Sequence, residues 1–81
     1  MISMYSASWC GDCVRTREQL DELGLEYEYL DIDAHSEHKA RAIDISGRPT
    51  IPVVVFPDGT YLVEPTDVAL HEKVQQLGLI Q

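Results

Sequence analysis

Short apolar runs alternate along the chain with longer, weakly amphipathic ones, and turn-forming residues separate them. Ile2 to Ser6 is short and alternating, which predicts a first strand. Ser8 to Gly11 reads as a loop, and a helix is expected from near Gly11 to Leu23. Val14, Leu20 and Leu23 give that helix a narrow apolar stripe, and Gly24 is a suitable stop. Glu26 to Asp31 alternates around Tyr27 and Tyr29 and leads into Ile32, which suits a second strand. Asp33 or Ser36 is expected to cap a second helix running through Ile45, with Ala40, Ala42 and Ile43 inward. Ser46-Gly47-Arg48-Pro49 should break it. Val53-Val54-Val55-Phe56 is a continuous run of the kind found in buried central strands. Pro57-Asp58-Gly59-Thr60 is a hairpin turn, and Tyr61-Leu62-Val63 should return antiparallel. Thr66 is placed to cap a last helix whose inner face is Val68, Leu70, Val74 and Leu77, with Gly78 at its end.

The expected order is therefore β-α-β-α-β-β-α. A parallel βαβ unit is followed by a hairpin and a helix. An α/β fold follows, with a four-stranded mixed sheet and helices on both faces. No repeat, low-complexity tract or linker interrupts residues 1–81, which read as a single domain.

Charge narrows the list of partners. Fourteen acidic residues against six basic ones leave a net charge of −8. Such a chain has no electrostatic attraction to nucleic acid or to an anionic membrane, and self-repulsion favours a monomer. The first residues carry no basic segment and no long apolar core, and no run approaches membrane-spanning length. A cytoplasmic location is expected.

The only two cysteines are Cys10 and Cys13, in Trp9-Cys10-Gly11-Asp12-Cys13. A Cys-x-x-Cys pair between a strand and a helix, in a reducing compartment, is a redox signature rather than a static staple. Cys10 sits where free N–H groups and the helix dipole favour a thiolate, so it is the candidate nucleophile. Cys13 lies one turn further in and is the candidate resolving thiol. Gly11 is expected to allow a tight approach at the turn, and Trp9 to form a flat wall beside the sulfur. Asp12 either opposes the Cys10 thiolate or simply favours the first helical turn. The competing reading is half of a zinc site. Zinc needs four ligands, and His35, His38 and His71 form no second ligand-spaced pair, so the redox reading is preferred.

Thr50-Ile51-Pro52 stands directly before the valine-rich strand. A proline is tolerated at a strand's first residue. A cis Ile51–Pro52 bond would expose the Ile51 backbone N–H and C=O to an extended substrate. Taken together, the Cys-x-x-Cys after a first strand, Thr50-Ile51-Pro52 before the valine run and Asp58-Gly59 in the hairpin resemble the glutaredoxins. The chain looks most like the short mycoredoxins, and the similarity covers nearly all of it. The resemblance implies a thioredoxin-like (glutaredoxin) fold, Cys10 as nucleophile, Cys13 as resolving cysteine and Pro52 as a cis-proline. It also implies that Ile51 offers its backbone to the substrate. Thr66 and Asp67 would then lie where such proteins hold a thiol's carboxylate at a helix N-terminus.

The chain departs from glutathione-specific glutaredoxins in three places. Ala7 stands where they usually carry a lysine, Cys-Gly-Asp-Cys replaces Cys-Pro-Tyr-Cys, and Glu64-Pro65-Thr66 replaces a Gly-Gly pair. These departures favour a low-molecular-weight thiol such as mycothiol or bacillithiol over glutathione. Arg48 is the nearest cation for its carboxylate, or else an ordinary loop base. Arg15 and Arg17 flank the motif on the first helix, where one could stack or pair near Cys10, but a solvated face is the preferred reading. The expected function is a thiol-disulfide oxidoreductase that reduces protein disulfides or mixed disulfides with such a thiol and binds no cofactor. A reductase of the thioredoxin or mycothione type is an expected partner. The alternative is a redoxin reduced directly by thioredoxin reductase that feeds ribonucleotide reductase. A third reading is an iron–sulfur module.

Overall fold

Seven elements run in the expected order through the structure, a computed structural model that describes residues 1–81. They are β1 (Ile2–Ser6), α1 (Gly11–Glu22), β2 (Tyr27–Asp31), α2 (Ser36–Ser46), β3 (Val53–Val55), β4 (Tyr61–Val63) and α3 (Asp67–Gln76). The strands form one sheet in the order β2-β1-β3-β4. β1 pairs parallel with β2, antiparallel with β3, and β3 pairs antiparallel with β4. The sheet is therefore mixed.

Both faces of the central strands are covered. Successive strand residues point to opposite faces, yet Met4 and Tyr5 are both buried, as are Val53 and Val54. Tyr5 meets the His38 ring of α2 edge-on. On the other face, Arg17 of α1 lies over the Tyr29 ring and Lys73 of α3 over the Phe56 ring. Met4 is directly opposite Tyr29 and Val54, which places it on that second face. α1 and α3 thus cover one side and α2 the other. Apolar burial on both sides of two inner strands drives this arrangement.

The helices differ from expectation in detail. α1 buries Cys13, Thr16 and Leu20, while Val14 is half-buried. Neither Asp33 nor Ser36 caps α2. Its N-cap is His35, which makes no side-chain cap bond. Asp31 does the nearby work instead, its carboxylate accepting from the Asp33 and Ala34 N–H groups and so ending β2. Of the three residues expected inward on α2, only Ala42 is buried; Ala40 and Ile43 face outward. A short helix over one sheet face presents too narrow a stripe to bury all three. Gly47 closes α2 in the left-handed region, φ 74°, where its N–H reaches the Ile43 carbonyl.

α3 starts at the predicted cap: Thr66 Oγ1 accepts from the Ala69 N–H at 3.1 Å. Leu70 and Val74 are buried, but Val68 is 67% exposed and is no part of the inner face. Two residues before Leu70, it points away from the sheet. Glu64, in the link from β4 to α3, takes φ 47°, and its N–H donates to the Pro52 carbonyl. That bond seats the link against the start of β3.

Candidate active site

Cys10 is the N-cap of α1, with extended backbone angles (φ −87°, ψ 115°). Its Sγ accepts the Cys13 N–H at 3.4 Å. A helix N-terminus and a donated N–H together suit a sulfur that carries negative charge. Cys10 is half-buried, whereas Cys13 is 1% exposed, and both are free thiols. Burial pushes the Cys13 thiol from 9.0 up to about 12. Its hydrogen bond with Cys10 adds to the rise, and the Ala7 backbone amide acts in the opposite direction. The two sulfurs therefore divide by environment. Cys10 is the sulfur open to solvent, and Cys13 lies behind it as an uncharged thiol.

The opposite wall is Thr50-Ile51-Pro52. The Ile51–Pro52 peptide is cis. The Cys10 thiol points at the Ile51 carbonyl, 4.0 Å away. The Ile51 N–H makes no hydrogen bond within the chain. A buried residue with a free N–H and a nearly free C=O beside a thiol is an unpaired strand edge one residue long. Thr50 is half-buried and its Oγ1 has no partner.

Other predicted residues fall around this pair. Trp9 is 70% exposed, and its indole N–H donates to the Asp33 carboxylate at 2.6 Å. That bond holds an otherwise solvated ring beside Cys10. Asp12 is exposed and lies 3.7 Å from the Arg15 guanidinium, i to i+3 along α1. Its charge is thus shared with a cation rather than left to act on the sulfurs alone. Gly11 corrects the sequence expectation of a tight approach: a Cβ there would meet nothing within 4 Å. Arg48 lies exposed in the loop after α2 with no charged partner. Its N–H donates to Ser46 Oγ.

Thr66 and Asp67 stand at the start of α3, where the Asp67 and Val68 N–H groups make no hydrogen bond. Here Arg15 takes a role that the sequence did not reveal. It donates to the Asp67 carboxylate and to the Pro65 carbonyl, tying α1 to the mouth of α3. Gln19 adds a bond to the Asp67 carbonyl. The only local signal was an arginine on the motif's helix and an acid at a later helix start. Nothing local joins positions so far apart. A surface cleft of about 350 Å³ opens between these helices, lined by Arg15, Glu18, Gln19, Asp67 and His71 among others. Cys10 lies outside it. Neither cysteine belongs to a group of three or more His, Cys, Asp or Glu side chains able to hold a metal.

Comparison with known proteins gives the fold a family. A Mycobacterium tuberculosis protein that bears the glutaredoxin name is 33% identical over 79 residues, spanning 95% of this chain and 93% of its own. Mycoredoxin 1 of Corynebacterium glutamicum is 27% identical over 78 residues, covering 95% and 96% of the two chains. The crystal structure of a glutaredoxin from Archaeoglobus fulgidus superposes with a TM-score of 0.79 at 32% identity, over 91% of this chain and 85% of that one. The glutaredoxin family model matches residues 2–62, and the chain belongs to the glutaredoxin family.

Proposed function

We propose that this protein is a thiol-disulfide oxidoreductase that reduces mixed disulfides between client proteins and a low-molecular-weight thiol. The observation that carries the reading is the asymmetry of the pair. Cys10 is half-exposed at a helix N-terminus with an N–H on its sulfur, and Cys13 is buried and neutral. Cys10 as thiolate attacks the disulfide, the client leaves as thiol, and Cys10 keeps the small thiol or passes to a disulfide with Cys13. Ile51 pairs with the extended substrate through its free N–H and C=O. The Trp9 ring shields the sulfur or docks the client. The thiol's carboxylate meets the free Asp67 and Val68 N–H groups at the Thr66-capped end of α3. Arg15, already there, is better placed to assist than the solvent-facing Arg48. The likeness to mycoredoxin favours mycothiol or bacillithiol over glutathione.

The test is turnover of a protein substrate blocked in turn with mycothiol, bacillithiol and glutathione, each with its own reductase. Cys10→Ser abolishes activity with all three. A Cys13→Ser protein that still releases the small thiol assigns a one-cysteine route. NADPH consumption with thioredoxin reductase alone would favour the directly reduced redoxin instead.

A further inference from the structure

Two hydroxyl groups lie buried without a partner on the face that carries Cys13. Ser6 and Thr16 are each 0% exposed, and neither Ser6 Oγ nor Thr16 Oγ1 makes a hydrogen bond. Thr16 is one turn along α1 from Cys13, in the same buried stripe with Leu20. Ser6 alternates with Met4 on β1, so it points to the α1 side of the sheet rather than to α2. It immediately precedes Ala7, whose backbone amide acts on the Cys13 sulfur. Strand and helix therefore put both hydroxyls on the buried face that holds the resolving thiol, neither of them bonded to its sulfur in the reduced chain. No buried carboxylate or imidazole shares that face, and the only other ionisable groups acting on Cys13 are Cys10 and the exposed Asp12.

An unpartnered buried hydroxyl is costly, so natural cores seldom retain two on one face. From this placement we infer that Ser6 and Thr16 are positioning residues for the second half-reaction, their side chains rotating to bring an O–H to Cys13 as its sulfur becomes anionic. The inference rests on the proposed roles of the two cysteines. In that step Cys13 loses its proton and attacks Cys10 Sγ. The Cys10–substrate S–S bond breaks, the Cys10–Cys13 bond forms, and the released thiolate or the solvent takes the proton. In the resting thiol the hydroxyls have nothing to donate to that binds strongly. Opposite a thiolate they become charge-assisted donors.

The aromatic disulfide 5,5′-dithiobis(2-nitrobenzoate) separates the two steps. Rapid mixing with reduced protein releases one coloured thiolate when Cys10 attacks and a second when Cys13 resolves the mixed disulfide. Cys13→Ser should give only the first. Ser6→Ala and Thr16→Val should leave the first phase within about twofold of the parent and slow the second about tenfold, the rate equivalent of one hydrogen bond to a charged sulfur. Ser6→Thr and Thr16→Ser, which keep the hydroxyl, should restore it. The pH midpoint of the second phase should rise in Ser6→Ala and Thr16→Val, which a purely packing role would not cause. Unfolding midpoints no lower than the parent's should accompany these changes, since each substitution removes an unpaired buried group. An unchanged second phase in both variants, or equal slowing of both phases, would overturn the inference. A parent protein with no first phase would overturn the reading of Cys10 as nucleophile and this inference with it.

Discussion

Arg15 on α1 reaches across to Asp67, the first residue of α3, and to the Pro65 carbonyl beside it. The contact fixes where the N-terminus of α3 sits relative to the cysteine-bearing helix. Arg15 keeps 38% of its side chain in solvent and Asp67 63%. An ion pair this open is worth about 0.2–1 kcal/mol. Arg15→Gln should therefore lower stability by no more than about 1 kcal/mol. The KM for a carboxylate-bearing thiol should rise several-fold, while turnover of an uncharged thiol such as 2-mercaptoethanol should hardly change. Steady-state kinetics with the two thiols checks this. Equal effects on both would place the thiol's carboxylate elsewhere.

The burial difference between the cysteines predicts a chemical difference. Cys10 is half-buried and Cys13 is 1% exposed. Limiting iodoacetamide at neutral pH should add one carboxamidomethyl group to the reduced native protein, at Cys10, and two in denaturing urea. Peptide mass spectrometry reads the position. Native labelling at Cys13 would contradict the assignment of roles.

The raised Cys13 thiol also makes stability depend on pH. The native state holds the proton up to about pH 12, whereas the unfolded chain releases it near 9.0. Between those values the unfolded state binds fewer protons, so stability falls as pH rises. Below pH 9 the contribution is intact. From pH 9 to pH 10 the reduced protein should lose about 1 kcal/mol more than Cys13→Ala does. Urea unfolding under reductant at the two pH values measures the difference, and parallel losses would exclude Cys13 as its source.

Glu64 is the one non-glycine residue at positive φ, 47°, and it is exposed. The left-handed region disfavours any residue with a Cβ. Glu64→Gly should therefore raise stability by up to about 1 kcal/mol, since relief of that conformation exceeds the added freedom of the unfolded chain. A lower unfolding midpoint would show instead that the Glu64 side chain stabilises the link to α3.

Local pattern carried a great deal of this fold. Strand alternation, Thr66 before the last helix and the Gly47 stop all act through neighbouring residues, and each element appears within a few residues of its expected place. The valine run at Val53–Val55 was legible as a central strand because burial on both faces removes the need for polar alternation. Errors fell on helix faces. Val68 and Ile43 are apolar at positions with no sheet beneath them, and composition alone does not distinguish an apolar residue over the sheet from one beside it.

Cys10 and Cys13 were legible for a related reason, since the two-residue spacing and the helix start are both local. So was their difference in burial, because the residue at a helix N-cap stays more open than one a turn further in. Tertiary packing alone decided what surrounds them. It brought Arg15 to Asp67, Trp9 to Asp33, the Ile51 carbonyl to the Cys10 thiol, and Ser6 to the face of Thr16 and Cys13. Each of these pairings crosses between elements, through sheet order and helix placement. Local periodicity sets which way a side chain points along its own element, but not what that element will be packed against.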